Sequence, residues 1–191
     1  GSAYDVAIYG NLVAVADDAF GLQVIDISEP VNPQWVGGNN TLGRSRGIDI
    51  LGDLVFMAVT GVGLHIFNVS NVSSPQWLGV YSIAGIGNDV LVFGNLALVS
   101  SGQSGLQIID ISDPLSPQWV SSVSGNVYGA ARSGNLVFLA DFALGLQIID
   151  ISVPASPQLV SRYNTPGYGM GIAVSGNLAL LAAKNAGLHV I

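Results

Sequence analysis

The sequence contains no cysteine and few charged residues, and both absences restrict what the chain can be. Without cysteine there is neither a disulfide framework nor a thiolate site, so packing alone must hold the fold together. Charged residues make up 9% of the 191 residues, whereas half of the residues are apolar. An average globular protein is about 25% charged. The composition therefore predicts a globular chain with a large core.

Positive charge is scarce, and long apolar runs are missing. Five Lys and Arg residues stand against twelve Asp and Glu residues, which gives a net charge of −7. A protein that binds nucleic acid needs enough cations to neutralise several phosphates, so this class of function is excluded. No uninterrupted apolar run exceeds six residues, and a membrane-spanning helix needs about 20. We therefore expect no membrane span in this segment.

Three short motifs recur in one register along the whole chain. The first is Gly-Asn-Leu, or Gly-Asp-Leu in the second copy, at residues 10–12, 52–54, 94–96, 134–136 and 176–178. The second is Gly-Leu at residues 21–22, 63–64, 105–106, 145–146 and 187–188, and the third is Pro-Gln at residues 33–34, 75–76, 117–118 and 157–158. The first two share spacings of 42, 42, 40 and 42 residues. Such a period indicates one structural unit, repeated and stacked on its neighbours.

Each repeat is predicted to contain four short strands, called a to d, and no helical period. In the second copy they lie at about residues 47–51, 54–59, 64–69 and 76–81. Strand b is apolar at every position, and a strand of that kind is covered on both faces. Small antiparallel sheets that are buried on both faces and repeat about every 40 residues are typical of stacked propeller blades.

The repeated motif Gly-Leu-Gln-Ile-Ile-Asp-Ile-Ser, at residues 105–112 and 145–152, carries a family resemblance. With the preceding Gly-Asn-Leu and its apolar strand, it resembles the LVIVD repeat of bacterial and archaeal propellers over essentially the whole chain. The resemblance implies a secreted or cell-surface protein, often of a kind with no assigned activity. The first copy departs from the motif at Val24, and the second at His65, Phe67 and Asn68.

The predicted fold class is all-β: a β-propeller of four-stranded antiparallel blades, with four complete blades and three strands of a fifth. The blades are expected at about residues 1–42, 43–84, 85–124, 125–166 and, incomplete, 167–191. The alternatives are a five-bladed ring with one thin blade, a segment of a larger ring, or one part of an assembly. Because open end strands invite pairing, the expected partner is another protein chain or further blades of a larger chain.

Some polar residues recur at one repeat position and are expected to be structural. Asp26, Asp110 and Asp150 share a position with Asn68, which keeps the acceptor oxygen, so they are expected to hold a turn. Two histidines, at 65 and 189, stand where the other copies have glutamine. We interpret them as the exchange of one polar side chain for another, because no second ligand or partnered nucleophile is identifiable.

Tryptophan recurs on strand d, at Trp35, Trp77 and Trp119. Packing between outer strands is the expectation, and a ring of exposed indoles that binds sugars is the alternative. The sequence has no calcium-binding loop of alternating aspartates, no glycine-rich phosphate loop and no His/Cys cluster. We therefore predict no catalytic residue, no metal site and no cofactor.

The strand order places the d–a and b–c connections on one face of the propeller, and these connections differ among the copies. Variable loops on a rigid scaffold are where binding usually resides. The candidate ligand-binding residues on this d–a/b–c face are Tyr4, Asp5, Arg44, Arg46, Asp89, Tyr128 and Tyr168. Neutral variation of surface loops is the alternative.

We expect a non-enzymatic, extracellular or cell-surface interaction or structural module, part of a larger protein or assembly. One alternative is a carbohydrate-binding lectin, with a glycan as the partner. A second is a hydrolase in the central channel, which would need a pair of carboxylates about 5–10 Å apart. Asp5 and Asp89 are the candidates for that pair, although their blades are not adjacent.

Overall fold

Each repeat folds into its own antiparallel sheet in the structure, a computed structural model that describes residues 1–41 and 43–191. The strands of the first two blades are β1 (Ala3–Tyr9), β2 (Leu12–Asp17), β3 (Gly21–Asp26), β4 (Gln34–Asn39), β5 (Arg44–Leu51), β6 (Leu54–Thr60), β7 (Gly63–Asn68) and β8 (Gln76–Ser82). Those of the third and fourth are β9 (Asp89–Phe93), β10 (Leu96–Ser100), β11 (Leu106–Asp110), β12 (Gln118–Val123), β13 (Val127–Ser133), β14 (Leu136–Asp141), β15 (Gly145–Asp150) and β16 (Gln158–Tyr163). The fifth blade has β17 (Tyr168–Ser175), β18 (Leu178–Lys184) and β19 (Gly187–Val190). The predicted all-β propeller, with four complete blades and three strands of a fifth, is confirmed.

Turn chemistry explains where the strands end. The first residue of each a–b turn is a glycine with φ between 53° and 60°, as in Gly10 and Gly52, and a two-residue hairpin with glycine first requires that region. At the end of strand c, the amide of Ser28 donates to Asp26 Oδ1 at 2.7 Å, and the amide of Ser70 donates to Asn68 Oδ1 at 2.8 Å. The predicted turn role of this position is confirmed.

Apolar clusters fill each joint between consecutive blades. Along β6, Val55, Met57 and Val59 pack toward the first blade. Phe56 and Ala58, the residues between them, pack toward the third blade. All five are fully buried, and burial of one such large side chain contributes about 1.5–3 kcal/mol. The apolar character of strand b at every position therefore follows from contact with two neighbours.

The blades follow one another in sequence order around a central channel, with the a strands innermost. β1 packs against β5, β5 against β9, β9 against β13 and β13 against β17. The outer sides of the first and last blades are open in the described part of the chain: Val6, Ile8, Leu188 and Val190 are each more than half exposed. Among residues 1–41 and 43–191, no helix has the length and apolar character needed to cross a membrane.

The second a strand begins at Arg44, three residues before its predicted start at residue 47. Arg44 and Arg46 therefore belong to a strand that faces the channel and the neighbouring blade, and not to a free loop.

Candidate functional site

A β-bulge recurs near the start of the innermost strands. In β1, β5, β13 and β17 the pairing with the second strand skips one residue. The skipped residues are Tyr4, Arg46, Tyr128 and Met170, and Asn88 holds the same repeat position just before β9. A bulge bends the strand and redirects the side chain of the extra residue. The repeat thus places one side chain per blade at the mouth of the channel.

These five side chains surround a cavity of about 460 Å³ at the channel mouth, together with Asp5 and Asp89. The structure therefore brings together five of the seven candidate residues: Tyr4, Asp5, Arg46, Asp89 and Tyr128. The Arg46 Cζ atom lies 5.6 Å from the centroid of the Tyr4 ring. Its Nε atom is buried and has no hydrogen-bond partner within the described residues.

Arg44 and Tyr168, the other two candidates, occupy joints between blades. Arg44 Nε lies 3.6 Å from Asp18 Oδ1 across the first joint. Tyr168 stacks on Phe142 across the fourth joint, with ring centroids 4.1 Å apart and planes inclined by 7°. In the repeat register, Arg44 corresponds to Tyr168 and Asp18 corresponds to Phe142. The same pair of positions is therefore filled by opposite charges in one joint and by stacked rings in another.

Phe142 lies on the same d–a/b–c face, although it was not among the predicted candidate residues. Its ring lies between those of Tyr128, at 5.4 Å, and Tyr168. Phe142 and Tyr168 line an open cavity of about 570 Å³ beside the channel mouth, with Thr165 and Asn185. Phe142 lies in a variable b–c loop that faces the next blade, and this position is the signal that could have identified it.

Three carboxylates join consecutive blades at the channel. Asp5 accepts from the amides of Val6, at 2.9 Å, and of Ile48 in the next blade, at 2.9 Å. Asp49 and Asp89 repeat this arrangement: each accepts from the following residue of its own strand and from one amide of the next blade, Val92 at 2.7 Å and Ala130 at 3.0 Å. We call these three residues the inter-blade aspartates.

Burial raises the pKa of all three inter-blade aspartates, and the amide hydrogen bonds oppose the shift. The effect is largest for Asp89, whose pKa burial raises to about 7, with the negative charges of Asp5 and Asp49 adding to it. Asp5 and Asp89 thus share a channel, as the hydrolase alternative requires. In each carboxylate, however, one oxygen already accepts an amide of its own strand and the other accepts an amide of the next blade. Asp49 was not predicted, because it lies two residues further along its strand than the repeat position of Asp5 and Asp89.

The expected packing of the strand d tryptophans is wrong. Trp35, Trp77 and Trp119 are 65%, 53% and 55% exposed. They lie at the second residue of strand d, opposite the second-last residue of strand c, as in the Ile25–Trp35 pair. No group of three or more potential metal ligands occurs in the part of the chain that the structure describes.

Comparison with known proteins places these observations in a family. A family model described as the LVIVD repeat matches residues 1–41, 42–82, 84–125, 124–165 and 166–191. No curated protein sequence matches the chain.

Solved structures match the fold at low sequence identity. The crystal structure of the computationally designed Ika8 protein matches with a TM-score of 0.78 and 12% identity, over 100% of this chain and 58% of that one. A functionally unknown protein from Desulfotomaculum acetoxidans DSM 771 matches with a TM-score of 0.79 and 15% identity, over 99% and 68%. The computationally designed Ika4 protein matches with a TM-score of 0.66 and 12% identity, over 79% and 92%. The chain thus spans less than two thirds of Ika8, and these likenesses concern the fold alone.

Proposed function

The chain belongs to the LVIVD-repeat family of β-propellers, and we propose that it is a non-enzymatic interaction module. In this proposal the fifth blade pairs with a strand of another protein chain or of further blades. An extracellular or cell-surface location, within a larger protein or assembly, is the part of the proposal that rests on the family resemblance.

The open edge of the fifth blade is the observation that carries the proposal. In the four complete blades, strand c is paired with strand d, whereas β19 pairs only with β18 in the described residues. The face of this blade is open too: Leu188 is 64% exposed, and Leu22, Leu64, Leu106 and Leu146, at the same repeat position, are 0–1% exposed. An unpaired strand next to an exposed apolar face is a template for another strand.

The complete blades indicate what kind of strand would fit this edge. Each strand d begins at the glutamine of Pro-Gln and pairs antiparallel with strand c, with a bulge after the first two residue pairs. Proline before the strand cannot continue the ladder, so pairing starts at a fixed point. We therefore expect an extended segment with this Pro-Gln start to bind β19 in the same register.

A synthetic peptide with the sequence of residues 112–123, which contains strand d of the third blade, tests the proposal. We expect saturable shifts of the amide NMR signals of residues 187–190 on titration. Two control peptides have the same sequence but carry N-methyl groups on alternate residues. One is methylated at the even-numbered residues of the strand, and the other at the odd-numbered residues. Successive amides of a strand point to its two opposite edges. Only the peptide whose methyl groups replace the N–H donors that face β19 should therefore fail to bind. Absence of saturable shifts, or equal binding of both methylated peptides, would refute strand addition.

The geometry of the channel supports a non-enzymatic role. A catalytic carboxylate pair needs oxygens that are available to substrate. In Asp5 and Asp89 both oxygens already accept backbone amides, one from the residue's own strand and one from the next blade.

Carbohydrate binding is the second candidate function, and the exposed tryptophans favour it. Exposed indoles offer an apolar face and one N–H donor, the combination that suits partly polar ligands. This function requires that the chain bind a saccharide and that replacing all three tryptophans by leucine abolish the binding. Leucine is the matched replacement, because Leu159 holds the same position in the fourth blade.

A further inference from the structure

A cavity of about 350 Å³ lies at the joint between the first and second blades, on the side away from the channel. The first blade contributes Asn39, Asn40 and Thr41, and the second contributes Val62, His65 and Trp77. This volume is at the lower end of the range for small-molecule sites. The lining therefore combines an exposed indole with several uncharged polar groups.

His65 is the buried residue whose polar atoms are unsatisfied at this cavity, whereas the first, third and fourth blades have glutamine at its position. It is 8% exposed, and neither Nδ1 nor Nε2 has a hydrogen-bond partner within residues 1–41 and 43–191. Each buried polar atom without a partner costs about 1–3 kcal/mol. The fold therefore carries two unsatisfied atoms at the wall of a cavity.

Glutamine at this position is satisfied in the first and fourth blades, whereas His189 in the fifth also leaves its Nε2 atom buried without a partner among the described residues. Gln23 donates to the carbonyl of Phe20, at 2.9 Å, and accepts from Trp35 Nε1, at 2.9 Å. Gln147 donates to Asp141 Oδ2 at 2.9 Å and accepts from Arg162 Nε at 3.2 Å. The change from glutamine to His65 therefore removed these bonds and supplied no substitute among the described residues. The sequence interpretation, one polar side chain exchanged for another, misses this loss.

We propose that the cavity binds one neutral sugar residue, whose ring lies against Trp77 and whose hydroxyl groups bond to His65. The inference rests on the second candidate function, carbohydrate binding, and assigns that function to a single site. A half-turn of the imidazole about its Cβ–Cγ bond exchanges nitrogens for carbons without changing the shape of the ring, so either edge can face the cavity.

The absence of charge in the cavity wall argues for a neutral ligand. None of the six lining residues carries a charge, apart from what His65 gains on protonation. Burial lowers the pKa of His65, so the imidazole is neutral at pH 7. A charged ligand would lose its hydration without gaining an opposite charge.

The hydrogen-bonding needs of His65 argue for hydroxyl groups. A neutral imidazole presents one donor and one acceptor, and a hydroxyl group can serve as either. One hydroxyl of a pyranose ring can therefore satisfy the nitrogen that faces the cavity, and a neighbouring hydroxyl can bond to the amide of Asn40 at the rim. The apolar C–H face of the same ring suits the indole of Trp77.

The test is titration of the chain with methyl glycosides of glucose, galactose, mannose and N-acetylglucosamine. The signals followed are the indole N–H resonances of the three tryptophans and the imidazole signals of His65. We expect at least one glycoside to shift the Trp77 and His65 signals saturably, while the Trp119 signal stays in place.

Substitutions that copy the residues of the other blades keep the fold and test the site. H65Q restores the residue of the first, third and fourth blades, and W77L introduces the residue of the fourth. Each is expected to weaken binding about tenfold or more, the effect of losing a hydrogen bond to a buried group or an aromatic contact. W119L, in a blade that has Gln107 in place of histidine, should leave binding unchanged.

Three outcomes would overturn the proposal. Binding that W119L weakens as much as W77L would assign saccharides to the exposed tryptophans in general, so that carbohydrate binding would survive without this site. Wild-type affinity in H65Q would show that the imidazole takes no part. No saturable shift with any of the four glycosides would remove both this site and the second candidate function, while strand addition at β19 would stand untouched.

Discussion

Folding stability should fall as the pH rises through the neutral range, because of Asp89. Its carboxyl has a pKa of about 7 in the folded chain, raised from 3.8 mainly by burial. Between these values the folded state holds a proton that the unfolded state has lost. Stability is therefore fully present below pH 3.8, and it is lost as the pH rises through 7.

The size of the effect follows from linkage. One unit of difference between folded and unfolded pKa values corresponds to about 1.4 kcal/mol. The unfolded carboxyl is already ionised at about pH 5, so the change between pH 5 and pH 8 is at most about 3 kcal/mol. Asp89 keeps part of its surface on the channel, and solvent screening there reduces the expected loss to about 1–2 kcal/mol.

Urea unfolding between pH 5 and pH 8 measures this loss, and D89N identifies its source. Asparagine at position 89 cannot ionise, so the free energy of unfolding of D89N should change between pH 5 and pH 8 by about half as much as that of the wild type, or less. Some change remains because Asp5 and Asp49 contribute in the same direction. At pH 5 D89N should be about 1 kcal/mol less stable than the wild type. The reason is that its amide NH₂ group replaces one oxygen that accepts a backbone N–H.

D53N is the matched control. Asp53 is exposed in an a–b turn, and the other four copies have asparagine at this position. Its removal lowers the net negative charge by the same amount as D89N and should leave the pH dependence unchanged. His65 contributes in the opposite direction, since burial lowers its pKa, so the comparison with D89N decides. The reasoning is refuted if D89N loses as much stability from pH 5 to pH 8 as the wild type, or if D53N flattens the profile as much as D89N.

Two further predictions are tested by urea unfolding: the first compares equivalent residue pairs in two joints, and the second compares one repeat position in two blades. R44A should cost about 0–1 kcal/mol, because the Arg44 side chain is 63% exposed, although its partner Asp18 is only 23% exposed. F142A should cost about 1–3 kcal/mol through the lost ring contacts; an R44A cost equal to that of F142A would contradict this. G47A should cost more than about 2 kcal/mol, because a Cβ on Gly47 would overlap the Cα of Asp89 in the next blade. G171A, at the same repeat position, has no atom within 4 Å of the new Cβ and should be neutral; a destabilised G171A would point to a cause other than crowding.

The sequence predicted the strands well because every copy repeats the same local chemistry. The apolar b strands, the glycine that begins each a–b turn and the Asp26-type turn are properties of one blade and its two packed faces. Their period along the chain makes them visible in copy after copy. The start of strand a was predicted less well, since the bulge that places Arg46 at the channel mouth depends on pairing with β6.

Contacts between blades were hidden from the sequence for a physical reason. Asp49 and Ile50 are adjacent in the chain, but the second amide that Asp49 holds, that of Val92, belongs to the next blade. Neither the spacing nor the residue type reveals this bond, because the corresponding positions in the other copies are occupied by apolar residues.

Variation among the copies does not by itself identify a binding site. At the joints the varying residues compensate one another: where Arg44 faces Asp18 in one joint, Tyr168 faces Phe142 in another. Both pairs are contacts across the joint that contains them, so their variability needs no ligand to explain it. His65 differs because its change from glutamine left both ring nitrogens without a partner in the described residues. A substitution that leaves buried polar atoms unpaired beside a cavity is stronger evidence for a ligand than variation on an exposed face.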